Sequence, residues 1–162
     1  MPLIKNGAYV EDAFIAVADD GVLPDAPVVV SLTRFRKERE ALLARNTKLG
    51  VRLKSEESPA ALGEDVQRLS LIVLEFPKFR DGRAFSWARM LRTRLGFSGE
   101  IRATGDFLYD QLSYMTRVGI DAFEVPAAIT PEMFARALGE MRYVYQPAPD
   151  GKKTIRDLRA DS

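Results

Sequence analysis

Guanidinium, carboxylate and amide groups at strand–helix junctions carry the chemistry this chain has to offer. Asp81, Gly82 and Arg83 follow an apolar run at residues 70–76 and lead directly into a helical pattern. Gly105 and Asp106 repeat the arrangement after the next apolar run, with Arg102 just before them and Gln111 just after. A helix that starts on such a loop presents free backbone N–H groups and the positive end of its dipole, and both favour an anion. Arg83 adds a planar fork of donors that matches an oxyanion. Asp81, Gly82, Arg83, Arg102, Asp106 and Gln111 therefore form the candidate ligand-binding set, with a small anion as the ligand. Structural roles fit the same residues. Asp81 and Asp106 suit helix caps, and Gly82 suits a permissive backbone position. Arg102 suits an ion pair with Asp106 or Asp121, and Gln111 suits a buried amide bonded to a neighbour.

What the chain lacks bounds the chemistry as firmly. It contains no histidine and no cysteine. The usual proton shuttle, thiol nucleophile and soft-metal ligands are therefore missing. Disulfides, a cysteine-ligated iron–sulfur cluster and a thioredoxin-type pair are excluded within this chain. No G-x-x-x-x-G-K-S/T loop is present, and no G-x-G-x-x-G follows a strand pattern. No metal site and no cofactor are expected from this inventory.

The elements that must position the candidates alternate between two periods. Residues 28–32 and 70–76 read as buried strands, and the second is apolar on both faces, as a central strand requires. Residues 51–53, 100–104 and 121–125 read as further strands, with 143–145 as a last one. Helices are expected at 33–46, from Ser58-Pro59 through Leu69, at 84–95, at 107–118 and from Thr130-Pro131 onward. Serine or threonine followed by proline is a helix start with a built-in cap. Residues 1–27 form a lead-in with turns at Asn6-Gly7 and Asp20-Gly21. A hairpin is expected there between 9–10 and 13–17. Residues 147–162 are polar and charged and read as a loose tail.

Strand–helix alternation calls for an α/β fold. The expectation is a single domain at 28–146, with a mostly parallel five- to six-stranded sheet and right-handed βα crossovers. The pattern leaves two arrangements open, an open sheet or a partial βα barrel. In either, ligands bind beyond the carboxyl ends of the strands, where the two Gly/Asp loops meet. Several aromatics crowd this region. Phe85 falls off the apolar stripe of its helix and is expected on the surface beside Arg89 and Arg92, which makes these three the interface candidates.

At 46% apolar residues, the 162-residue chain can bury a core without staples. No apolar run reaches the ~20 residues of a bilayer crossing. The N-terminus has no basic segment followed by an apolar one, so a cytoplasmic location is expected. A net charge of +1 speaks against bulk nucleic-acid binding. Charge is unevenly placed: residues 33–54 carry eight bases against two acids, whereas 1–32 and 55–75 each carry one base against five acids. Two readings fit, a solvated basic helix balanced by acidic neighbours or a docking face for an acidic partner.

The chained blocks at 76–83, 86–92, 99–106, 110–111 and 117–123 carry a family resemblance. They read F-P-x-F-x-D-G-R, S-x-A-R-x-L-R, G-E-I-R-A-x-G-D, D-Q and R-x-G-I-D-A-F. In this order they resemble a bacterial domain of unknown function that carries the label of an oxidoreductase of sulfite reduction. Weaker similarity extends back to Val28. Genes of that family commonly neighbour those of sulfite reductase and sulfate assimilation, so the resemblance implies a role in that pathway. It supplies no catalytic residues. Relatives carry a cysteine before the glycine of R-x-G, where this chain has Val118.

Three functions follow as expectations. The first is an accessory protein of sulfate and sulfite reduction that contacts sulfite reductase, its electron donor or another sulfur-assimilation protein. The second is an enzyme or binding protein for a small anion, a sulfur oxyanion or a phosphorylated metabolite. The third is a flavin-dependent oxidoreductase, since flavin sites need neither histidine nor cysteine.

Overall fold

The apolar run in the middle of the sequence becomes the middle of a sheet. The computed structural model describes residues 3–76, 82–105, 111–125 and 130–140. In chain order it contains β1 (Leu3–Lys5), β2 (Ala8–Val10), β3 (Ile15–Ala16), β4 (Val28–Ser31), α1 (Leu32–Lys37), α2 (Arg39–Leu43) and β5 (Leu49–Leu53). A 3-10 helix at Pro59–Arg68 leads to β6 (Leu71–Phe76). Then come α3 (Arg83–Thr93), β7 (Glu100–Gly105), α4 (Leu112–Arg117), β8 (Ala122–Glu124) and α5 (Pro131–Glu140).

All eight strands join one sheet in the order β2-β1-β8-β7-β6-β5-β4-β3. From β3 to β8 each strand lies parallel beside its predecessor. The α/β class is as expected, but the sheet is mixed and larger than the five or six strands read from the sequence. The extra strands come from the lead-in. The turn at Asn6-Gly7, with φ of 55° and 80°, folds β1 onto β2 as an antiparallel hairpin. β1 also pairs antiparallel with β8, and β3 pairs parallel with β4. The expected pairing of residues 9–10 with 13–17 is therefore wrong. Those two segments end on opposite edges of the sheet. Two- and three-residue strands carry too little periodicity to reveal such partners.

Winding in one direction puts the connecting helices on one face. Strand residues Val28, Val30, Val51, Leu53, Ile72, Leu74, Ile101, Ala103 and Phe123 form one core with Phe35, Leu42, Ala88, Leu91, Leu112, Met115 and Phe134 of the helices. Alternate residues Val29, Leu71 and Val73 point to the other face, where Phe14 covers them. Two expected helices come out shorter or tighter. The 33–46 helix breaks at Glu38, whose φ and ψ of −115° and 25° are not helical. The Ser58-Pro59 start forms, with Ser58 accepting from the Ala60 N–H, but the helix is 3-10 and is interrupted at Gly63. The expected strand at 143–145, and Leu138 and Met141 of the last stripe, lie outside the residues whose side chains are described.

Chain length proves that the sheet curls. Between β2 and β3 lie all seven strand spacings of the sheet, about 34 Å along its surface. The chain covers the same gap from Val10 to Ile15, at most about 19 Å. The sheet is thus an open half-barrel, helices outside, and residues 11–14 form a strap across its concave side. The partial-barrel alternative left open by the sequence is the one adopted.

Candidate functional site

The carboxyl ends of β5 to β8 form the mouth of the half-barrel. Asp81 and Asp106 of the predicted set lie outside the described residues. Gly82 is the N-cap of α3, with φ of −84° and an open space where a side chain would stand. Neither its backbone nor packing against the described residues requires glycine there. Gly105 differs: its φ is +104°, and a Cβ would meet the Phe76 carbonyl oxygen at 2.4 Å. Arg83 opens α3, is exposed, and donates to the Ser55 hydroxyl at 3.2 Å. One turn on, the Trp87 indole N–H donates to the Ser55 carbonyl at 2.8 Å, so α3 grips the loop that leaves β5. Gln111 stands half-buried at the N-cap of α4. The mouth thus holds Gly82 and Arg83 near the end of β5 and Gln111 at the start of α4.

Arg102 is not with them. It lies in mid-strand on the concave floor and is 3% exposed. It donates to Glu100 and to Asp12, each at 2.9 Å, and Glu124 is 3.6 Å away. Lys5 reaches Glu100 at 2.8 Å, and the Thr104 hydroxyl donates to Glu124 at 2.7 Å. The expected partner Asp121 belongs elsewhere. Arg102 is level with Ala122 in the register, so the neighbouring Asp121 points to the opposite face. There Asp121 accepts from Arg92 at 2.6 Å and from the Ile101 N–H at 2.9 Å.

Arg92, an interface candidate, is half-buried and bound within its own chain. Its guanidinium donates to the carbonyls of Phe97, Gly99 and Gly119 as well as to Asp121. Phe85 is half-buried, its ring 5.2 Å from both Phe76 and Tyr114. Helical phase alone made it look exposed, because the partner Tyr114 comes from another helix. Arg89 remains exposed. Val118 is fully buried in the apolar core.

Sequence reasoning missed the concave floor. Glu100, Arg102 and Thr104 alternate along β7, and period-two polarity of that kind marks a second, polar face. In register beside them stand Glu75 on β6 and Glu124 on β8, while Arg52 lies in the row of Arg102. Lys5 and Asp12 join only through topology, and nothing local in the sequence points to them. Among the described residues, no His, Cys, Asp or Glu group is arranged to hold a metal ion. Glu100, Glu124 and Asp12 serve Arg102 instead.

A cleft of about 1080 Å³ opens at the other end of the strands, between the β1–β2 turn and the loop before β8. Its charged walls, Lys5 with Glu100 and Arg92 with Asp121, are already paired with one another. The mouth and the floor are therefore the stronger candidates. Among the described residues no helix is long and apolar enough to cross a membrane.

The chain belongs to the family described as bacterial protein of unknown function (DUF934), whose model matches residues 50–156. No curated protein matches it. The matched region begins in β5 and includes the mouth and most of the floor, whereas β1 to β4 and the strap precede it.

Proposed function

We propose that the protein is an accessory factor of assimilatory sulfate and sulfite reduction. It contacts sulfite reductase or its electron donor in the bacterial cytoplasm through the mouth of the half-barrel. The chained motif blocks support this reading, and the condition of Arg83 carries it. Three arginines of those blocks differ in exposure: Arg102 is buried and Arg92 half-buried, whereas Arg83, which donates to Ser55, keeps an exposed side chain at the mouth. Exposed arginine is a preferred anchor of protein contacts. Affinity capture of sulfite reductase by the wild type and by Arg83→Ala tests the reading. Capture by the wild type alone is expected, and equal capture by both removes the mouth from the account.

A second reading is supported by Gly82. A glycine that its own φ does not require and that no described residue crowds, at the start of an eleven-residue helix, allows a ligand to come close to the positive end of the helix. A small-anion binder for a sulfur oxyanion or a phosphorylated metabolite follows. Calorimetry with sulfite, sulfate and phosphate, repeated on Gly82→Val, distinguishes it: binding lost in the variant is the expected result, and unchanged binding rejects it.

A further inference from the structure

Residues 11–14 bring two side chains down onto the concave floor. The Asp12 carboxylate accepts from Arg102 at 2.9 Å. The Phe14 ring packs on Val29, Leu71 and Val73, with the Arg102 guanidinium 6.0 Å from its centre. The other Asp12 oxygen accepts from the Phe14 N–H at 2.9 Å, so one tight turn presents both groups. The three carboxylates around Arg102 are not equivalent. Glu100 and Glu124 come from β7 and β8 and are fixed by sheet register. Asp12 comes from a segment that pairs with no strand, and its side chain is 39% exposed against 3% for Arg102. It sits on the solvent side of a buried guanidinium, as a ligand does.

We infer that Arg102 is an oxyanion site, that Asp12 is its internal occupant, and that a small external oxyanion takes its place by lifting the strap. The charges agree. Without the strap, Arg102 and Lys5 balance Glu100 and Glu124, and Asp12 adds one negative charge that an external anion replaces. Arg52 and Glu75, also on the floor, are of opposite sign and leave this balance unchanged. At its far end the strap runs into β3, beyond which Arg34 donates to the Ala18 carbonyl and Ser31 to Asp19, so the lifting is confined to residues 11–17. β3 is two residues long and holds to β4 through Ile15 N–H to Pro27 and Val17 N–H to Val29. Arg102, Glu100 and Glu124 fall inside the family-matched region and Asp12 outside it, so site and occupant come from different parts of the chain. The inference is independent of Arg83, which stands on α3.

The test is calorimetric titration of acetate, sulfate and phosphate into the wild type and Asp12→Asn, with amide hydrogen exchange followed in parallel. Asparagine keeps the turn, because its carbonyl still accepts from Phe14, but it brings no charge to Arg102. Roughly tenfold tighter binding to Asp12→Asn than to the wild type is expected, since the wild type must first release its occupant. Added anion should also speed exchange at Phe14, Ile15 and Val17 in the wild type. Which probe binds identifies the oxyanion as a carboxylate or an inorganic one. Arg102→Gln should abolish binding. If that variant does not fold, the two other measurements decide. Equal affinity in wild type and Asp12→Asn overturns the inference, as does absence of binding to both. Binding that leaves the three amides unchanged overturns it too.

Discussion

Arg83 and Arg92 stand at opposite ends of the same helix, and the fold uses them in opposite ways. Arg92, in the last turn of α3, draws the α3–β7 loop and the α4–β8 loop together through three carbonyls and one carboxylate. Gly119 leaves the room for it: a Cβ there would come within 2.5 Å of the Arg92 Cγ. Arg83, in the first turn, is exposed and donates to the Ser55 hydroxyl. In barrel-like α/β folds the amino end of the strands carries stability and the carboxyl end carries function. If the mouth is the site, as proposed, this half-barrel divides its arginines in the same manner. Residues from one motif block therefore need not share a role.

Arg102 gives the largest test of that division. It has the most buried guanidinium of the three, and its loss leaves Glu100 with Lys5 and Glu124 with Thr104 as their remaining described partners on the floor. Arg102→Ala is expected to cost about 3–5 kcal/mol, the usual penalty for breaking a buried ion pair from one side. Denaturant unfolding measures it. A loss no greater than at a surface site would mean that the floor is wetter than its burial indicates.

Arg92→Ala comes next. It leaves three carbonyls and Asp121 short of a donor at a half-exposed site, so about 2–3 kcal/mol is expected. Gly119→Ala should reproduce part of that loss by a different route. Its φ of +107° is strained for alanine, at about 1–3 kcal/mol, and the new methyl pushes Arg92 aside. The two variants combined should lose less than the sum of their separate effects, because they damage one clamp. Full additivity would show that Gly119 and Arg92 act separately.

The sequence revealed some of this division and hid the rest for definite reasons. Strand β6 was legible because its continuous apolar run matches a strand buried on both faces. The helix starts at Ser58 and Thr130 were legible because a capping hydroxyl acts within three residues. Partners far apart in the chain were not. Lys5 meets Glu100, and Asp12 meets Arg102, about ninety residues apart; the pairing of β1 with β8 brings the first pair together, and the strap across the curled sheet brings the second. The misplacement of Arg102 had a local cause. Its alternation with Glu100 and Thr104 assigns all three to one face, and Asp121 is one residue out of phase with that face. Phe85 was misread because a helical stripe describes one helix, and its cover came from Tyr114 on the next.

A fourth arginine sharpens the scale between clamp and contact. Arg39 on α2 holds Asp65 of the 3-10 helix with two bonds, at 2.6 and 2.7 Å. The Arg39 hydrogen bond holds the Asp65 carboxyl below its ordinary value of 3.8. Because the folded value is the lower one, the pair stabilises above the ordinary value and is lost as pH falls through the depressed one. The thermal midpoint should thus drop slightly more steeply in acid for the wild type than for Asp65→Asn. The pair is exposed, so the difference should be small and should shrink in high salt. Identical acid profiles would mean that the pair does not tie α2 to the 3-10 helix in solution.

Arg83→Ala should have the smallest effect on stability and the most informative one. The variant loses a hydrogen bond to Ser55, but Trp87 still holds the Ser55 carbonyl from the same helix. The unfolding free energy is therefore expected to stay within about 0.5 kcal/mol of the wild type, as for most surface substitutions. Complementation of growth on sulfate should nevertheless be lost, because the group presented at the mouth is gone. Arg83→Lys separates charge from shape: it keeps the cation but not the planar fork, and a partner that uses the fork should not be rescued by it. If Arg83→Ala unfolds the domain while growth persists in Arg83→Lys, Arg83 is a second clamp like Arg92. The two ends of α3 would then be alike, and the function would have to be sought on the floor around Arg102.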